Sequence, residues 1–148
     1  MVLIKIKRLR ENAIIPSYAS IGDAGMDFYS CENYLIQPTE RRLVSTGLAL
    51  EFPLGYELQL RPRSGLALKR GISLVNSPAT IDAGYRGEIG IILINHGQED
   101  FLVSPGDKIA QGVLSRVERA DFVEVSELEE SVRGEGGFGS SGGHSALG

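Results

Sequence analysis

The chain has only one cysteine, Cys31, among its 148 residues. No disulfide can therefore form within the chain, which favours a reducing, cytoplasmic environment, and a metal site would have to use oxygen ligands rather than thiolates. The sequence also lacks an apolar run of the roughly 18 residues that a membrane helix needs. Charges appear so early in residues 1–7 that this segment predicts a strand rather than a signal peptide.

Positive charge is also scarce. The chain carries 15 Lys and Arg against 19 Asp and Glu, a net charge of −4. Proteins that bind nucleic acid need a basic field to displace counterions, so this composition argues against that partner. A small phosphate ligand needs only a few local cations. With 42% hydrophobic residues, the chain is long enough for one globular domain with a single core.

Short β-rich runs separated by turn residues dominate the chain as far as residue 125. The predicted strands are residues 2–7, 26–29, 34–37, 42–45, 48–52, 56–60, 72–76, 88–95, 101–103, 109–117 and 122–125. Residues 64–70, followed by Gly71, have a clear helical start and stop. The pattern predicts an all-β sandwich in residues 1–125 and a flexible arm in residues 126–148. Residues 89–94 are apolar on both strand faces, which indicates that the outer face packs against another subunit.

The arm is rich in glycine. Residues 134–148 contain seven glycines, which give this segment too much backbone freedom and too little side chain to order by itself. A nucleotide could order it, because Arg133, Ser140 and Ser141 suit phosphates and Phe138 offers a face on which a base can stack. The alternative is a flexible, solubilising tail.

Residues 61–67, with the sequence Arg-Pro-Arg-Ser-Gly-Leu-Ala, predict a second phosphate site. Arg63, Ser64 and Gly65 stand at the start of the predicted helix, where backbone N–H groups, a hydroxyl and a cation meet. The alternative is that Ser64 is an ordinary N-cap. Arg61 is interpreted as a structural or interface arginine, and so is Arg86 further along the chain.

Residues 76–88 supply a candidate catalytic group. The runs 72–76 and 88–95 predict a hairpin whose tip carries Asp82 and Tyr85. Asp82 is the candidate general base, and its alternative role is that of an Asx-turn residue that satisfies the hairpin backbone. The alternative for Tyr85 is a core or interface aromatic.

Five segments of the chain resemble, in order, the five motifs of the trimeric deoxyuridine triphosphatase (dUTPase) family. They are residues 23–30, 61–67, 76–95, 105–111 and 133–142. Five matches in order over nearly the whole length are far more specific than any one of them. Two positions depart from the family pattern, Ala79 in place of the usual Gly and Gly112 in place of a larger apolar residue. These departures predict a stiffer hairpin and a small gap.

The resemblance implies a distorted jelly-roll sandwich, the dUTPase β-clip, assembled as a homotrimer with a Gly-rich C-terminal arm. It implies hydrolysis of dUTP to dUMP and pyrophosphate with Mg²⁺ as cofactor, which keeps uracil out of DNA and supplies dUMP for thymidylate synthesis. Each active site would take its first, second and fourth motifs from one subunit, its hairpin from a second and its tail from a third.

The resemblance also implies residue roles. Asp82 would activate a water for in-line attack on the α-phosphorus, and Asp27 would hold the metal through a water. The alternative for Asp27 is a strand-end or turn residue that is paired with a nearby donor. The residues implied to contact phosphates are Arg63, Ser64, Gly65, Gln111, Arg133, Ser140 and Ser141. The residues implied to contact uracil and deoxyribose are Asn76, Thr80, Ile81, Tyr85 and Gly90, with Phe138 and Gly139 from the tail.

Two other functions fit parts of this pattern. One is a dCTP deaminase of the same fold and trimer, which would need its own acid/base group for attack at C4 of cytosine. The other is a non-catalytic trimeric nucleotide-binding protein, against which an intact Asp82 argues. Pyrophosphate release from dUTP and ammonia release from dCTP distinguish the three.

Overall fold

Alternating apolar side chains on short strands build the first of two units in the chain, Met1–Glu118. The computed structural model describes residues 1–138. Within them the strands are β1 (Lys5–Arg8), β2 (Met26–Tyr29), β3 (Tyr34–Ile36), β4 (Arg41–Ser45), β5 (Leu48–Glu51), β6 (Tyr56–Arg61), β7 (Ile72–Leu74), β8 (Ala79–Asp82), β9 (Gly90–Asn95), β10 (Phe101–Val103) and β11 (Lys108–Arg116). The helix α1 (Ser64–Arg70) lies between β6 and β7. No helix in the described part of the chain is long and apolar enough to cross a membrane.

The strands pair antiparallel in four groups. The largest sheet has the order β2-β11-β6-β8, the second has the order β4-β9-β7, and β1 pairs with β5 and β3 with β10. Most neighbours in these sheets are distant in sequence, as in a jelly roll. The predicted all-β sandwich of jelly-roll type is confirmed.

The core lies between the sheets and is made of fully buried aliphatic and aromatic side chains. The largest of these are Phe28, Ile36, Leu48, Leu58, Leu60, Ile72, Ile89, Ile91, Leu93 and Ile109. Burial of one such side chain contributes about 1.5–3 kcal/mol. In β9, Ile91 and Leu93 face this core, whereas Ile92 and Ile94 on the other face are half-buried. The second face of β9 is therefore apolar and incompletely covered within one chain.

The predicted hairpin is only partly correct. Its two arms do pair, as β7 with β9. The connection between them is not a simple tip, because it contains β8, a strand that the sequence analysis missed. β8 crosses to the other sheet and pairs with β6, where Ala79 stands opposite Leu60 and Asp82 opposite Glu57. Pro78 and Gly84 bracket this short strand so closely that the segment resembles a turn in sequence.

The predicted strand at residues 122–125 is wrong. These residues form no strand, and Phe122 and Val123 are 95% and 82% exposed. The segment has the alternation of a strand, but none of the strands in residues 1–138 pairs with it. A backbone without a partner strand cannot form ladder hydrogen bonds, whatever its side-chain pattern.

The small gap predicted at Gly112 is also wrong. A Cβ at this position would lie 2.5 Å from Phe28 Cε2 and 3.1 Å from Leu58 Cδ1. The Phe28 ring, which is fully buried, therefore takes the space that a side chain at residue 112 would need. The missing side chain at residue 112 is therefore compensated by the Phe28 ring, and no gap remains. The boundary predicted at residue 125 between domain and arm stays a prediction.

Candidate active site

Three strands of the largest sheet bring the first candidate residues together. β11 lies between β2 and β6, and Gln111 is paired with Asp27 on one side and with Arg61 on the other. Directly paired residues of antiparallel strands point to the same face of the sheet. The structure therefore places Asp27 and Gln111 side by side.

Gln111 also links β11 to the segment before the helix. Its Nε2 donates a hydrogen bond of 2.9 Å to the carbonyl oxygen of Pro62. A Cβ at Gly25 would collide with Gln111 Oε1, so glycine at residue 25 leaves room for this amide. The amide side chain is thereby fixed between the first and second motifs.

A β-bulge in β11 adds a residue that the sequence analysis did not assign. The register of β11 against β2 shifts between Lys108 and Ala110, so that Lys108 stands opposite Tyr29. Without the shift, strand alternation would direct Lys108 to the face opposite Gln111. The bulge redirects the Lys108 side chain to the face that carries Asp27.

Asp27 is paired with two cations. Lys108 Nζ lies 2.7 Å from Asp27 Oδ2, and Arg63 Nε lies 3.3 Å from Asp27 Oδ1. The Asp27 side chain is 14% exposed, whereas the side chains of Lys108 and Arg63 are 41% and 34% exposed. The hydrogen bond to Asp27 raises the pKa of Lys108, so its ammonium group stays protonated. Both cations keep an exposed side that can meet a further anion.

The start of α1 meets this cluster. Arg63 holds the N-cap position in an extended conformation with no side-chain cap, and Ser64 is the first helical residue. The alternative of an ordinary Ser64 N-cap is therefore wrong. The first helical hydrogen bond runs from Ala67 N to Arg63 O, which leaves the N–H groups of Ser64 and Gly65 without helical acceptors. Gly71 ends the helix in the left-handed conformation, as predicted.

These elements line one groove of about 660 Å³. Its lining residues are Ala19, Asp23, Ala24, Gly25, Asp27, Arg63, Ser64, Gly65, Leu66, Lys69, Arg70, Lys108 and Gln111. Four of them are cationic, in a chain whose net charge is −4. The groove therefore concentrates positive charge where the overall composition does not, which suits a phosphate ligand.

Asp82 and Tyr85 line a different cavity, of about 150 Å³, with Thr80, Ile81, Glu88 and Gly90. Asp82 ends β8 and is exposed. The turn that follows is closed by a main-chain bond of 3.0 Å from Tyr85 N to Asp82 O. Among residues 1–138 the Asp82 carboxylate takes part in no hydrogen bond or ion pair of the structure, so the Asx-turn alternative is wrong.

Tyr85 is half-exposed, at 46%, and its ring is not a core aromatic. Its hydroxyl donates a hydrogen bond of 3.0 Å to the Glu88 carbonyl oxygen. A Cβ at Gly87 would lie 2.6 Å from Tyr85 Cζ, so the ring folds back over the glycine. The hydroxyl end of the ring lies against residues 87 and 88, and Tyr85 lines the cavity that carries Asp82.

The remaining predicted residues differ in their surroundings. Asn76 is exposed and follows β7. Arg61 donates to Gln59 Oε1, and Arg86 donates to the carbonyl oxygens of Ala83 and Tyr85, as structural arginines would.

The second unit begins at Arg119. In its described part, Arg133 Nε donates to the Gly136 carbonyl oxygen at 2.9 Å, and Gly136 N donates to Arg133 O at 3.1 Å. Phe138 is fully exposed, with a positive φ of 47°. The predictions for Gly139, Ser140 and Ser141 lie outside the described residues.

Lys108 and Glu88 are among the cavity residues that sequence reasoning missed. Lys108 belongs to the fourth motif, but no spacing rule reveals the bulge that directs it to Asp27. Glu88 reads as a surface charge at a strand start, although it lines the cavity of Asp82 and Tyr85. The only signal in the sequence was that both lie within a motif.

Known proteins match the chain over most of its length. Residues 11–142 match the dUTPase family. The chain is 57% identical over 143 residues to the deoxyuridine 5'-triphosphate nucleotidohydrolase of Syntrophotalea carbinolica, a match that covers 95% of this chain and 97% of that protein.

Solved structures match equally widely. The dUTPase of Staphylococcus bacteriophage 80alpha, solved with dUPNHPP, has a TM-score of 0.85 and 31% identity, covering 95% of this chain and 98% of that chain. A mutant dUTPase from phage phi11 of S. aureus, solved to describe coordination of a structural Mg(II) ion, has a TM-score of 0.80 and 27% identity, covering 86% and 99%. With its five motifs, two motif-lined cavities and these relatives, the chain belongs to the dUTPase family.

Proposed function

We propose that this protein is a dUTP diphosphatase that hydrolyses dUTP to dUMP and pyrophosphate. Its family membership and the activity named for its relative support the reaction. The observation that carries the proposal is the cationic groove in which Arg63, Lys108 and the start of α1 surround Asp27. A triphosphate is the part of dUTP that such a groove fits. A cytoplasmic location belongs to the same proposal, supported by the single, buried and unpaired Cys31.

In this proposal the groove binds the phosphates. Arg63 presents a planar guanidinium to phosphate oxygens, and the helix start offers the N–H groups of Ser64 and Gly65. Gln111 adds an amide that its bond to Pro62 already orients. Lys108 contributes a compact positive charge beside Asp27. The binding energy of the phosphates in this groove would be mainly electrostatic and independent of the nucleobase.

Asp82 is the proposed general base. It accepts a proton from a water that attacks the α-phosphorus in line, while pyrophosphate leaves. The position of Asp82 at the end of β8, opposite Glu57 on β6, anchors its backbone in the largest sheet. Its carboxylate has no partner among residues 1–138 that would have to be displaced, which supports this role.

The hairpin is proposed to read the nucleoside. Main-chain groups of Thr80, Ile81 and Gly90 would pair with the uracil edge and leave no room for a substituent at C5, and Asn76 would donate its amide to the base. Tyr85 would lie against the deoxyribose, where a 2′-hydroxyl meets its ring. The cavity of about 150 Å³ is small enough for steric exclusion of this kind.

Magnesium fits the groove only as a hydrated ion. Among the described residues no group of three or more His, Cys, Asp and Glu side chains could hold a metal by itself. Mg²⁺ commonly keeps several waters and binds through one carboxylate and the substrate phosphates. Asp27 is the proposed carboxylate, acting through a water, and the phi11 relative described with Mg(II) supports the choice of metal. Bound magnesium would neutralise phosphate charge.

A homotrimer with shared sites is the proposed assembly. The groove and the Asp82 cavity have no lining residue in common, so one chain does not join them into a single pocket. The apolar outer face of β9 supports contact with another subunit. In each composite site, the tail residues Arg133, Phe138, Gly139, Ser140 and Ser141 would close over the bound nucleotide from a third chain.

Pyrophosphate release from each dNTP and from UTP, in the presence of magnesium, tests the proposed reaction. We expect release from dUTP alone at a substantial rate. Ammonia release from dCTP would instead identify a deaminase, and tight dUTP binding without either product would identify a binding protein. Both results would contradict the proposed function.

The shared site can be tested with two inactive proteins. Asp82→Asn removes the base from the hairpin, and Gln111→Ala removes a groove residue. If each site combines groove and hairpin from different chains, mixed trimers of the two variants regain sites with both residues intact, and activity returns. Light scattering should first show trimers, and mixtures that stay inactive after subunit exchange would place the whole site in one chain.

A further inference from the structure

The Glu88 side chain is held by the turn between β4 and β5. Its Oε1 accepts hydrogen bonds from Ser45 Oγ and from Gly47 N, the latter at 2.9 Å. The Glu88 carboxylate is part-buried at these contacts, and hydrogen bonds to a charged acceptor are about twice as strong as neutral ones. Glu88 therefore joins the return arm of the hairpin to a turn that is distant in sequence.

The next residue strengthens the same junction. Ile89 N donates to Leu48 O at 2.8 Å, and Thr46 Oγ1 donates to Ile89 O at 2.6 Å. Thr46, Leu48 and Ile89 are all fully buried. We call the contacts of residues 45–48 with residues 88 and 89 the clamp.

The turn of the clamp has little freedom to move. Gly47 has a positive φ of 67°, and a Cβ there would lie 2.9 Å from Ala13 Cβ and 3.3 Å from Cys31 Sγ. The turn is thus packed against the buried residues Ala13 and Cys31, and its conformation favours glycine. Because the Glu88 carboxylate is hydrogen-bonded to this turn, its position is fixed relative to the core.

The main-chain end of Glu88 faces the cavity lined by Asp82 and Tyr85, which we call the nucleoside cavity after its proposed ligand. Its carbonyl oxygen accepts the hydroxyl hydrogen of Tyr85, and both residues line the cavity with Asp82. The clamp thereby determines where the Tyr85 hydroxyl is anchored. Asp82 is held differently, through pairing of β8 with β6.

We propose that Glu88 is a positioning residue that fixes the Tyr85 ring through the clamp and so sets the discrimination between deoxyribose and ribose, an inference that rests on the proposed function. Loss of the carboxylate leaves the Ser45 and Gly47 donors without their acceptor and frees the Glu88 carbonyl to shift. The ring then withdraws, and the cavity admits a 2′-hydroxyl. Since Asp82 is anchored in another sheet, turnover of dUTP changes less than the choice of sugar.

The test compares Glu88→Ala with Glu88→Gln and with Glu51→Ala. Glutamine keeps a carbonyl oxygen at the clamp. Glu51→Ala removes a carboxylate of similar size from an exposed ion pair with Lys5, and Glu51 lines neither the groove nor the cavity around Asp82. The measurements are kcat and KM for dUTP and UTP, and the midpoint of thermal unfolding. We expect Glu88→Ala to raise the UTP/dUTP ratio of kcat/KM by about 10-fold, the lower end for loss of a steric contact in a pocket.

In the same experiment, kcat for dUTP should fall by a smaller factor than the UTP/dUTP ratio rises. Glu88→Gln should restore most of the discrimination, and Glu51→Ala should match the wild type.

A destabilised Glu88→Ala protein with wild-type discrimination would overturn the proposal and leave Glu88 a structural residue. If Glu88→Ala does not fold, Ser45→Ala decides the question, because it removes one donor of the clamp. An unchanged ratio in that variant also overturns the proposal. Wild-type protein that releases no pyrophosphate from dUTP would instead contradict the proposed function.

Discussion

The groove around Asp27 and the cavity around Asp82 are built by different means. The groove is assembled from long, partly exposed charged side chains on separate elements, with Asp27 between Lys108 and Arg63. The cavity around Asp82 and Tyr85 is assembled from hydrogen bonds between side chains and main-chain groups, from glycines and from the partly buried clamp. Both belong to the first unit of the same chain.

Under the proposed function, the difference follows from the part of dUTP that each cavity would recognise. Coulomb attraction falls off slowly with distance, so a phosphate site tolerates small shifts of flexible side chains. Steric exclusion of one hydroxyl is lost when a wall moves by a fraction of an ångström. On this proposal, the groove can be exposed and adjustable, whereas the cavity around Asp82 and Tyr85 would have to be held rigidly. Each prediction below tests one side of this contrast.

The largest effect is expected at Asp82. Asp82→Asn keeps the shape of the side chain and removes its basicity, so dUTP binding and unfolding should change little while turnover falls by about 10²–10⁴-fold. Pyrophosphate release under saturating dUTP measures the loss. Asp100→Asn, at an exposed position outside both cavities, is the matched control and should keep the wild-type rate. A variant at residue 82 with half the normal rate would remove Asp82 from the chemistry.

A smaller effect, confined to specificity, is expected at Gly87. Its φ is not in the left-handed region, so Gly87→Ala introduces no backbone strain, and the three atoms nearest to the added Cβ all belong to the Tyr85 side chain. The ring must move, and the UTP/dUTP ratio of kcat/KM should rise by about 10-fold with little loss of stability. Gly84→Ala is the matched control on the same hairpin, because a Cβ there has no neighbour within 4 Å. Equal ratios in the two variants would show that the ring does not exclude ribose.

The contrast also explains what the sequence could and could not predict. Most strands were predictable because alternating apolar residues face one core, as Ile91 and Leu93 do. β8 was missed because its four residues lie between turn formers, and residues 122–125 were assigned wrongly because alternation does not guarantee a partner strand. Both errors have one cause. Whether a segment forms a strand depends on pairing with residues that are far away in the chain, and the local sequence does not show whether that pairing occurs.

The candidate site divides in the same way. Arg63, Ser64 and Gln111 were predictable because motif residues carry their own chemistry. The direction of the Lys108 side chain depends on a bulge. The position of the Glu88 carboxylate depends on a hydrogen bond from Gly47, 41 residues earlier in the chain. Neither feature leaves a local pattern. Motifs therefore identify the groups that are proposed to touch a ligand, and tertiary contacts decide which residues hold those groups in place.

The smallest expected effect is a change of stability at alkaline pH, and it concerns the support of the clamp. Tyr34 donates its hydroxyl hydrogen to Glu32 at 2.6 Å and accepts a hydrogen bond from Ser45 N at 3.3 Å. Burial, followed by the hydrogen bond to Glu32, raises the pKa of Tyr34 above its usual value of 10.0. The unfolded chain thus loses this proton first as the pH rises. Between the two pKa values the unfolded state binds fewer protons than the folded state, so the free energy of unfolding falls with increasing pH.

Urea unfolding of the wild type and of Tyr34→Phe, measured from about pH 8 upward, tests this sign. The variant loses the hydroxyl contacts and should be somewhat less stable at neutral pH, but its stability should fall less steeply above about pH 10. Since burial is the first cause of the raised pKa, the difference in slope should persist in high salt, where a purely Coulombic effect would be screened. Parallel slopes for the two proteins would contradict the account of Tyr34. A difference that disappears in salt would show that this side of the molecule, like the groove, is held by charge rather than by the buried contacts that fix the nucleoside cavity.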